Sequence, residues 1–458
     1  MKRNSPVKSS PLMTILCALC CPAMVVVAED WPRFLGPTAN GKSGETELIE
    51  KWPNSGPNRA WIQTIGTGYS APSIRDSKLV LHHRKGDQEI VETLDATTGD
   101  SLWQHSYESN FVDPFGYNNG PRCSPLLSEN RCYTFGAEGK LLCLDRKTGK
   151  QLWLRDTATD FNIPEAFFGV GSTPIITHNL LVVMVGGQPN SGMVAFDPKT
   201  GETVWESVGR NNWQGLPKIG WRGEPTVVWK DYAMQASYAT PLVAEIHGKS
   251  HLLCFMRQGL VSLDPKSGKV NFSFWFRSIV NESVNAMNPI VQDDLILLSA
   301  AYYGIGSVLL QVQPNGKSVK EVWRDRVLEI HWTTPILHEG HLYAFSGRNE
   351  ADARFRCVEF ATGKLMWDRD EQWRKSFRPP SVYGRGSGIF ADGKLFALGE
   401  GGLLGLFRLN PKEPIELARF QIPEFKYPCW AAPIISNKKL YLRSEDRLIC
   451  YDIARFSQ

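Results

Sequence analysis

Net charge is nearly absent from this chain of 458 residues. Its 51 Lys and Arg face 47 Asp and Glu, a formal +4, and Lys2, Arg3 and Lys8 near the start account for three of those charges. The remainder is close to +1, which excludes the basic footprint of a nucleic-acid partner. Catalytic signatures are missing as well: there is no H-E-x-x-H, no G-x-S-x-G and no C-x-x-C-H haem attachment sequence. Apolar runs are short, apart from Leu12 to Val27, which Pro22 interrupts. With the basic residues before it and Val26-Val27-Ala28 before Glu29, that segment reads as a signal peptide over 1–28, and a soluble exported protein is expected rather than a membrane anchor. Periplasmic or extracellular placement follows, with no transmembrane segment in the mature chain. Beyond residue 28, seven cysteines (123, 132, 143, 254, 357, 429 and 450) form an odd set at irregular spacing. Several sit within apolar runs, so buried free thiols are expected, although export leaves a disulfide open.

A long repeat is what the sequence does have. Strands that start at a small residue followed by Pro recur at Pro72, Pro125, Pro174, Pro241, Pro289, Pro335 and Pro433, with Gly388 filling the gap before the last. Spacings of 53, 49, 67, 48, 46, 53 and 45 residues suit one four-stranded propeller blade per unit. Within the units, short runs such as Leu180 to Val185 are rich in β-branched residues and too short for helices. Turns recur at Asp95 to Gly99, Asp145 to Gly149, Asp197 to Gly201, Asp264 to Gly268 and Glu359 to Gly363. A strand follows each, and Trp103, Trp153, Trp205, Trp323 and Trp367 stand at equivalent places. Packing between blades is the expected role of these tryptophans. The eighth unit stops at Ile453 without its Trp strand, while Arg59-Ala60-Trp61 precedes the first unit. The predicted fold is therefore all-β, an eight-bladed propeller of four-stranded blades over 59–458, closed by an N-terminal strand near Trp61. Residues 29–58 form an N-terminal extension, and the longest unit carries an insertion at about 206–237 with Trp213, Trp221 and Trp229, expected as packing, a lid or a partner surface. One large ring predicts a monomer.

Two local patterns look like chemistry and lack its context. Gly36 to Ser43 matches G-x-x-x-x-G-K-[ST], yet no buried strand precedes it. His338-Glu339-Gly340-His341 occupies the same slot as Asn437-Lys438-Lys439 in the eighth unit, which makes it a hairpin turn rather than a metal site. Site residues are sought instead at the positions that do not repeat. Inner strands begin near the central channel, so residues three before each Pro should face one mouth: Tyr69, Arg122, Gly171, Tyr238, Ala286, Trp332, Arg385 and Trp430. Four aromatics and two arginines at this level suggest a pocket that stacks a planar or sugar-like ligand on Trp332 or Trp430 and holds an anionic group with Arg122 and Arg385. No Asp or Glu stands at this level, so no metal site is predicted. His331, Asn288 and Cys429 are secondary candidates.

The Asp-x-x-Thr-Gly-x-x-x-Trp units, the x-Pro strand starts, the opening Trp31-Pro-Arg-Phe-Leu-Gly-Pro37, and Ala236 to Pro241 with Gly259 to Asp264 resemble the pyrroloquinoline-quinone-like (PQQ-like) propeller repeat family, in its exported planctomycete-type form. The wider resemblance is to the quinoprotein alcohol dehydrogenase-like superfamily. It implies one of two things. In the dehydrogenases the ring holds PQQ and Ca²⁺, with a carboxylate and an amide on the metal, an Asp base and, in many, a vicinal disulfide; the only adjacent cysteines here, Cys20 and Cys21, lie in the leader. Similar rings without cofactor act as assembly scaffolds or sensor domains. The expectation is a non-catalytic binding or interaction scaffold without cofactor, with a protein, small-molecule or glycan partner. The alternatives are a PQQ- and calcium-dependent dehydrogenase of alcohols or sugars and a polysaccharide-binding accessory protein.

Overall fold

The computed structural model describes Met1 and residues 29–164, 168–213, 236–280, 282–349, 352–370 and 382–455. The expected leader over 1–28 and most of the insertion, Trp221 and Trp229 included, lie outside the described residues.

Eight four-stranded antiparallel sheets succeed one another along the chain. Seven are formed of consecutive strands, and the eighth joins the N-terminal strand Asn58–Thr64 to Arg447–Asp452, Lys439–Arg443 and Ile434–Ser436. Trp61 stands opposite Cys450 in that pairing, so the ring closes where the sequence placed the closure. The seventh blade, which lacks the Pro and the Trp, forms normally from Ser387–Ala391, Lys394–Leu398, Leu403–Arg408 and Ile415–Gln421. One four-residue α-turn, Thr157–Asp160, and two short 3-10 turns are the helical content of the described residues.

Strand chemistry follows position in the blade. Middle strands such as Leu180–Gly187 and Ser191–Phe196 are buried on both faces, because each sheet is sandwiched between neighbours. Outermost strands such as Ser101–Glu108 alternate exposed and half-buried residues. The apolar core is accordingly a series of clusters between adjacent blades, among them Val182, Met184 and Ala195 against Leu252, Cys254 and Val261. All seven described cysteines are buried and free.

The repeated tryptophans act as latches. In every blade the outermost strand carries a bulge at the same register, just before the Trp position. The bulge turns the indole towards the turn of the following blade. Trp103 Nε1 donates to Arg146 O at 3.2 Å and Trp153 Nε1 to Pro198 O at 3.2 Å; Trp61, Trp323 and Trp367 make the same bond to Ala96, Phe360 and Asn410. Beneath Trp61, Trp103, Trp153, Trp205 and Trp323 a turn glycine leaves room, while the turn that meets Trp367 has none. A Cβ on Gly149, at φ +74, would lie 2.5 Å from the Trp103 ring. Trp205 packs over Gly268 in the same way, but its Nε1 finds no partner among the described residues. Trp213, the described indole of the insertion, is buried against Trp275 at 5.2 Å.

The extension before the first blade crosses the end of the channel. Trp31 pairs with Ile74 of blade 1, and Pro32 O accepts from Leu127 N of blade 2. Gly41 O and Ser43 N pair with Phe390 of blade 7, and the Glu45 carboxylate accepts from the backbone of Asn437 and Lys438 in blade 8. Gly36 to Ser43 thus forms part of a plug with no helix after it, which accounts for the phosphate-loop pattern as structure. His338 and His341 flank a tight hairpin turn with Glu339 and Gly340 at positive φ.

Candidate functional site

The eight positions three residues before the strand starts converge on one cavity of about 200 Å³. Tyr69, Arg122, Gly171, Tyr238, Ala286, Trp332, Arg385 and Trp430 all line it, with Phe34 and Leu35 of the plug forming its far end. The small members of the ring have a reason: a Cβ on Gly171 would lie 2.3 Å from the Tyr238 ring, so glycine makes room for that tyrosine. His331 also lines the cavity, while Asn288 and Cys429 do not. Asn288 Oδ1 instead accepts from Thr240 N at 2.8 Å, and the buried Cys429 thiol lies 3.2 Å from Lys426 O, its pKa raised by burial.

Loops between blades complete the wall with residues that follow no repeat. Asp113 and Tyr117, from the loop before Arg122, Phe168 and Tyr302 all face the cavity. The aromatic rings form a connected band, with Trp430 4.9 Å from Tyr69, 4.8 Å from Trp332 and 5.3 Å from Tyr117, and Phe168 5.6 Å from Tyr238. The signal for them was present in the aromatic-rich run Phe111 to Tyr117, but only the folded loop brings it inward.

The two arginines, expected from the sequence to hold an anionic group, each pair with a carboxylate of the protein. Arg122 Nη2 lies 2.8 Å from Asp113, and the guanidinium also donates to the carbonyls of Asn118 and Gly120. Asp113 in turn accepts from the backbone of Phe115 and Tyr117. Arg385 chelates Glu400 through Nε and Nη2 at 2.8–3.3 Å, with both side chains buried. Glu400 further accepts from Arg385 N and from Trp430 Nε1 at 3.1 Å. Gly384, at φ +60, is required here, because a Cβ would lie 2.3 Å from Glu400 Oε1. Each guanidinium also covers an aromatic face, Arg385 4.3 Å from Trp332 and Arg122 5.6 Å from Tyr69. Both charges are therefore spent inside the wall. A third carboxylate, Glu445, accepts from Tyr69 and Asn118.

His331 is fixed by its neighbours. Arg385 Nη1 lies 3.1 Å from Nδ1 and can only donate, so Nδ1 accepts; Nε2 then carries the hydrogen and donates to Tyr302 Oη at 2.9 Å. Burial, reinforced by the charges of Arg385 and Arg348, pushes the imidazole down to about 3, which keeps it neutral. Burial lifts the Tyr302 phenol to about 12 and raises those of Tyr69 and Tyr238 further. None of these groups is poised to exchange protons near neutral pH.

Among the described residues no group of three His, Cys, Asp or Glu is placed to hold a metal ion, and no helix is long and apolar enough to cross a membrane.

Comparison with known proteins agrees with this architecture. Residues 86–317 match the family model PQQ_2, described as outer membrane protein assembly factor BamB. A stretch of 143 residues is 27% identical to the quinoprotein alcohol dehydrogenase PedH of Pseudomonas putida, covering 29% of this chain and 22% of that protein. The chain thus matches about a fifth of that relative's length. BamB from Moraxella catarrhalis superposes with a TM-score of 0.57 at 14% identity, over 88% of this chain and all of that one. A europium-containing methanol dehydrogenase gives 0.62 at 12% identity over 90% and 89%, and the quinohemoprotein alcohol dehydrogenase of Comamonas testosteroni gives 0.61 at 13% over 94% and 81%. At such identities the likeness is one of fold.

Proposed function

Because the chain belongs to the PQQ_2 family of PQQ-like propellers, whose fold is shared by BamB and by quinoprotein dehydrogenases, we propose that it is an exported, non-catalytic binding or interaction module whose funnel receives a ligand or a partner's side chain. The observation that carries the proposal is the internal pairing of the cavity. Its wall is aromatic, and the Arg122–Asp113 and Arg385–Glu400 pairs leave no free carboxylate to act as a base and no free guanidinium to hold an anion. A concavity of this kind binds by shape and stacking.

The residues present do not suit PQQ with Ca²⁺. The cofactor carries several carboxylates, and a calcium site takes six to eight oxygen ligands; Asp113 and Glu400 already hold arginines and backbone or indole N–H groups. The dehydrogenase reading is tested directly. Purified protein mixed with PQQ and CaCl₂ should show no stoichiometric chromophore and no alcohol- or sugar-dependent reduction of an artificial electron acceptor, and either signal would overturn the proposal. Export is tested by the mass of the protein recovered from the periplasm or medium, which should begin at Glu29. Retention on a glycan column lost with Trp430→Ala would favour the polysaccharide-binding variant of the same module.

A further inference from the structure

Resting on the reading of the funnel as a binding pocket, we infer that it selects an uncharged, planar ligand that presents oxygen acceptors, such as a cyclic or aromatic carbonyl compound, and discriminates against both carboxylates and polyols. The selection comes from which polar groups of the wall still have hydrogen-bonding capacity. The carboxylates are spent: Asp113 on Arg122 and two backbone N–H groups, Glu400 on Arg385 and Trp430, Glu445 on Tyr69 and Asn118. Donors are not. Tyr302 Oη accepts from His331, whose tautomer is fixed by Arg385, so its own O–H has no acceptor among the described residues. Tyr238 Oη accepts from Phe168 N at 2.9 Å and keeps its hydrogen unpaired in the same sense.

Two cavity-lining hydroxyls, those of Tyr302 and Tyr238, therefore carry an O–H with nothing among the described residues to receive it, a deficit that a ligand's acceptor oxygen can fill. A sugar brings a hydroxyl hydrogen with nearly every acceptor oxygen, and each such hydrogen left without an acceptor in a closed site lowers affinity by roughly tenfold or more. A carboxylate meets a wall whose cations are already neutralised, so it loses its hydration without gaining an ion pair. Flatness is favoured because Trp332, Trp430, Tyr69 and Tyr117 form a band of rings around a cavity of only about 200 Å³.

Coumarin, a neutral planar lactone, is the probe. Titrated against the tryptophan fluorescence of the full mature chain and checked by calorimetry, it should bind saturably at one site. Naphthalene, which lacks the acceptor, and coumarin-3-carboxylate, which adds a charge, should each bind about tenfold more weakly, and cellobiose should not compete. Tyr302→Phe, with Tyr238→Phe as a second variant, should weaken coumarin by about three- to tenfold while leaving naphthalene unchanged. Equal binding of coumarin and naphthalene, tighter binding of the carboxylate, displacement by cellobiose, or no binding of any probe would each overturn the inference. None of these outcomes bears on the PQQ and calcium assay, so the non-catalytic module and its ligand class stand or fall separately.

Discussion

Glu400→Gln is the perturbation with the most to say about the funnel. The substitution keeps shape and removes one charge from a pair in which Arg385 and Glu400 side chains are 7% and 5% exposed. One carboxylate oxygen accepts from Arg385 Nη2 at 2.8 Å and from Trp430 Nε1 at 3.1 Å, and the other from Arg385 N at 2.8 Å. A glutamine amide can serve only one of those ends, since its NH₂ faces donors. The variant therefore deprives the buried guanidinium of its Glu400 carboxylate and orphans either the indole or the Arg385 backbone N–H. Breaking a buried pair from one side costs about 3–5 kcal/mol, which urea unfolding followed by tryptophan fluorescence resolves easily. Removing both partners, Arg385→Met with Glu400→Leu, should recover most of that loss, because the desolvation of two charges disappears with them. The same single substitution should also take away the carboxylate that neutralises Arg385 beside Trp332, seen as gained binding of coumarin-3-carboxylate. A loss below about 1 kcal/mol for Glu400→Gln, together with no gain for the anionic probe, would refute the claim that this pair neutralises the cavity.

Three further outcomes are expected. Gly86 and Gly149 both sit at positive φ, +58 and +74, but a Cβ on Gly86 meets nothing within 4 Å while one on Gly149 meets the Trp103 ring; Gly86→Ala should cost about 1 kcal/mol and Gly149→Ala about 2–4, and equal shifts in urea midpoint would remove the latch from the account. At Glu92, burial pushes the carboxyl up, but hydrogen bonds from His83, Ser101 and Gln104 outweigh it and hold the group at about 2, below its ordinary 4.5; the stability it contributes is complete above pH 4.5 and lost as the pH falls towards 2, a slope that Glu92→Gln should flatten in acid unfolding. Trp31→Ala removes a side chain 2% exposed from the plug and should cost about 3–5 kcal/mol, with limited proteolysis cutting within 29–43 while far-UV circular dichroism keeps its β signal; an uncut segment would mean that Trp31 does not hold it.

Ring, blade number and closure were legible because they rest on periodic features: a proline at each inner strand, an Asp or Glu turn, and an indole that must meet the next turn. Even the missing proline and tryptophan of the seventh blade did not hide it, since Ser387–Ala391 and its partners keep the strand pattern. The channel-facing ring from Tyr69 to Trp430 was legible for the same reason, being a fixed offset from a repeated mark. What occupies those arginines was not. Glu400 lies fifteen residues beyond Arg385, on the far arm of a hairpin, and Asp113 reaches Arg122 through a loop whose turns follow no period. The floor was equally hidden, because nothing in Phe34 or Leu35 announces a path across the channel. Strand positions can be read from spacing; loop positions depend on contacts between segments far apart in sequence.

Among the described residues the strand Asn58–Thr64 pairs with Arg447–Asp452 alone, and that single pairing sets an order of events for the whole molecule. Synthesis runs from the N-terminus, so Asn58–Thr64 emerges early and waits for nearly the entire propeller before its partner arrives. Until then the ring has two open rims, and the closing strand is an unpaired edge of the kind that recruits strands from other chains. A chain truncated anywhere before Arg447 stays in that state indefinitely. Helpers that shield β-edges on the nascent chain should therefore matter more to this protein's yield than to its final stability, which seven already assembled inter-blade cores secure.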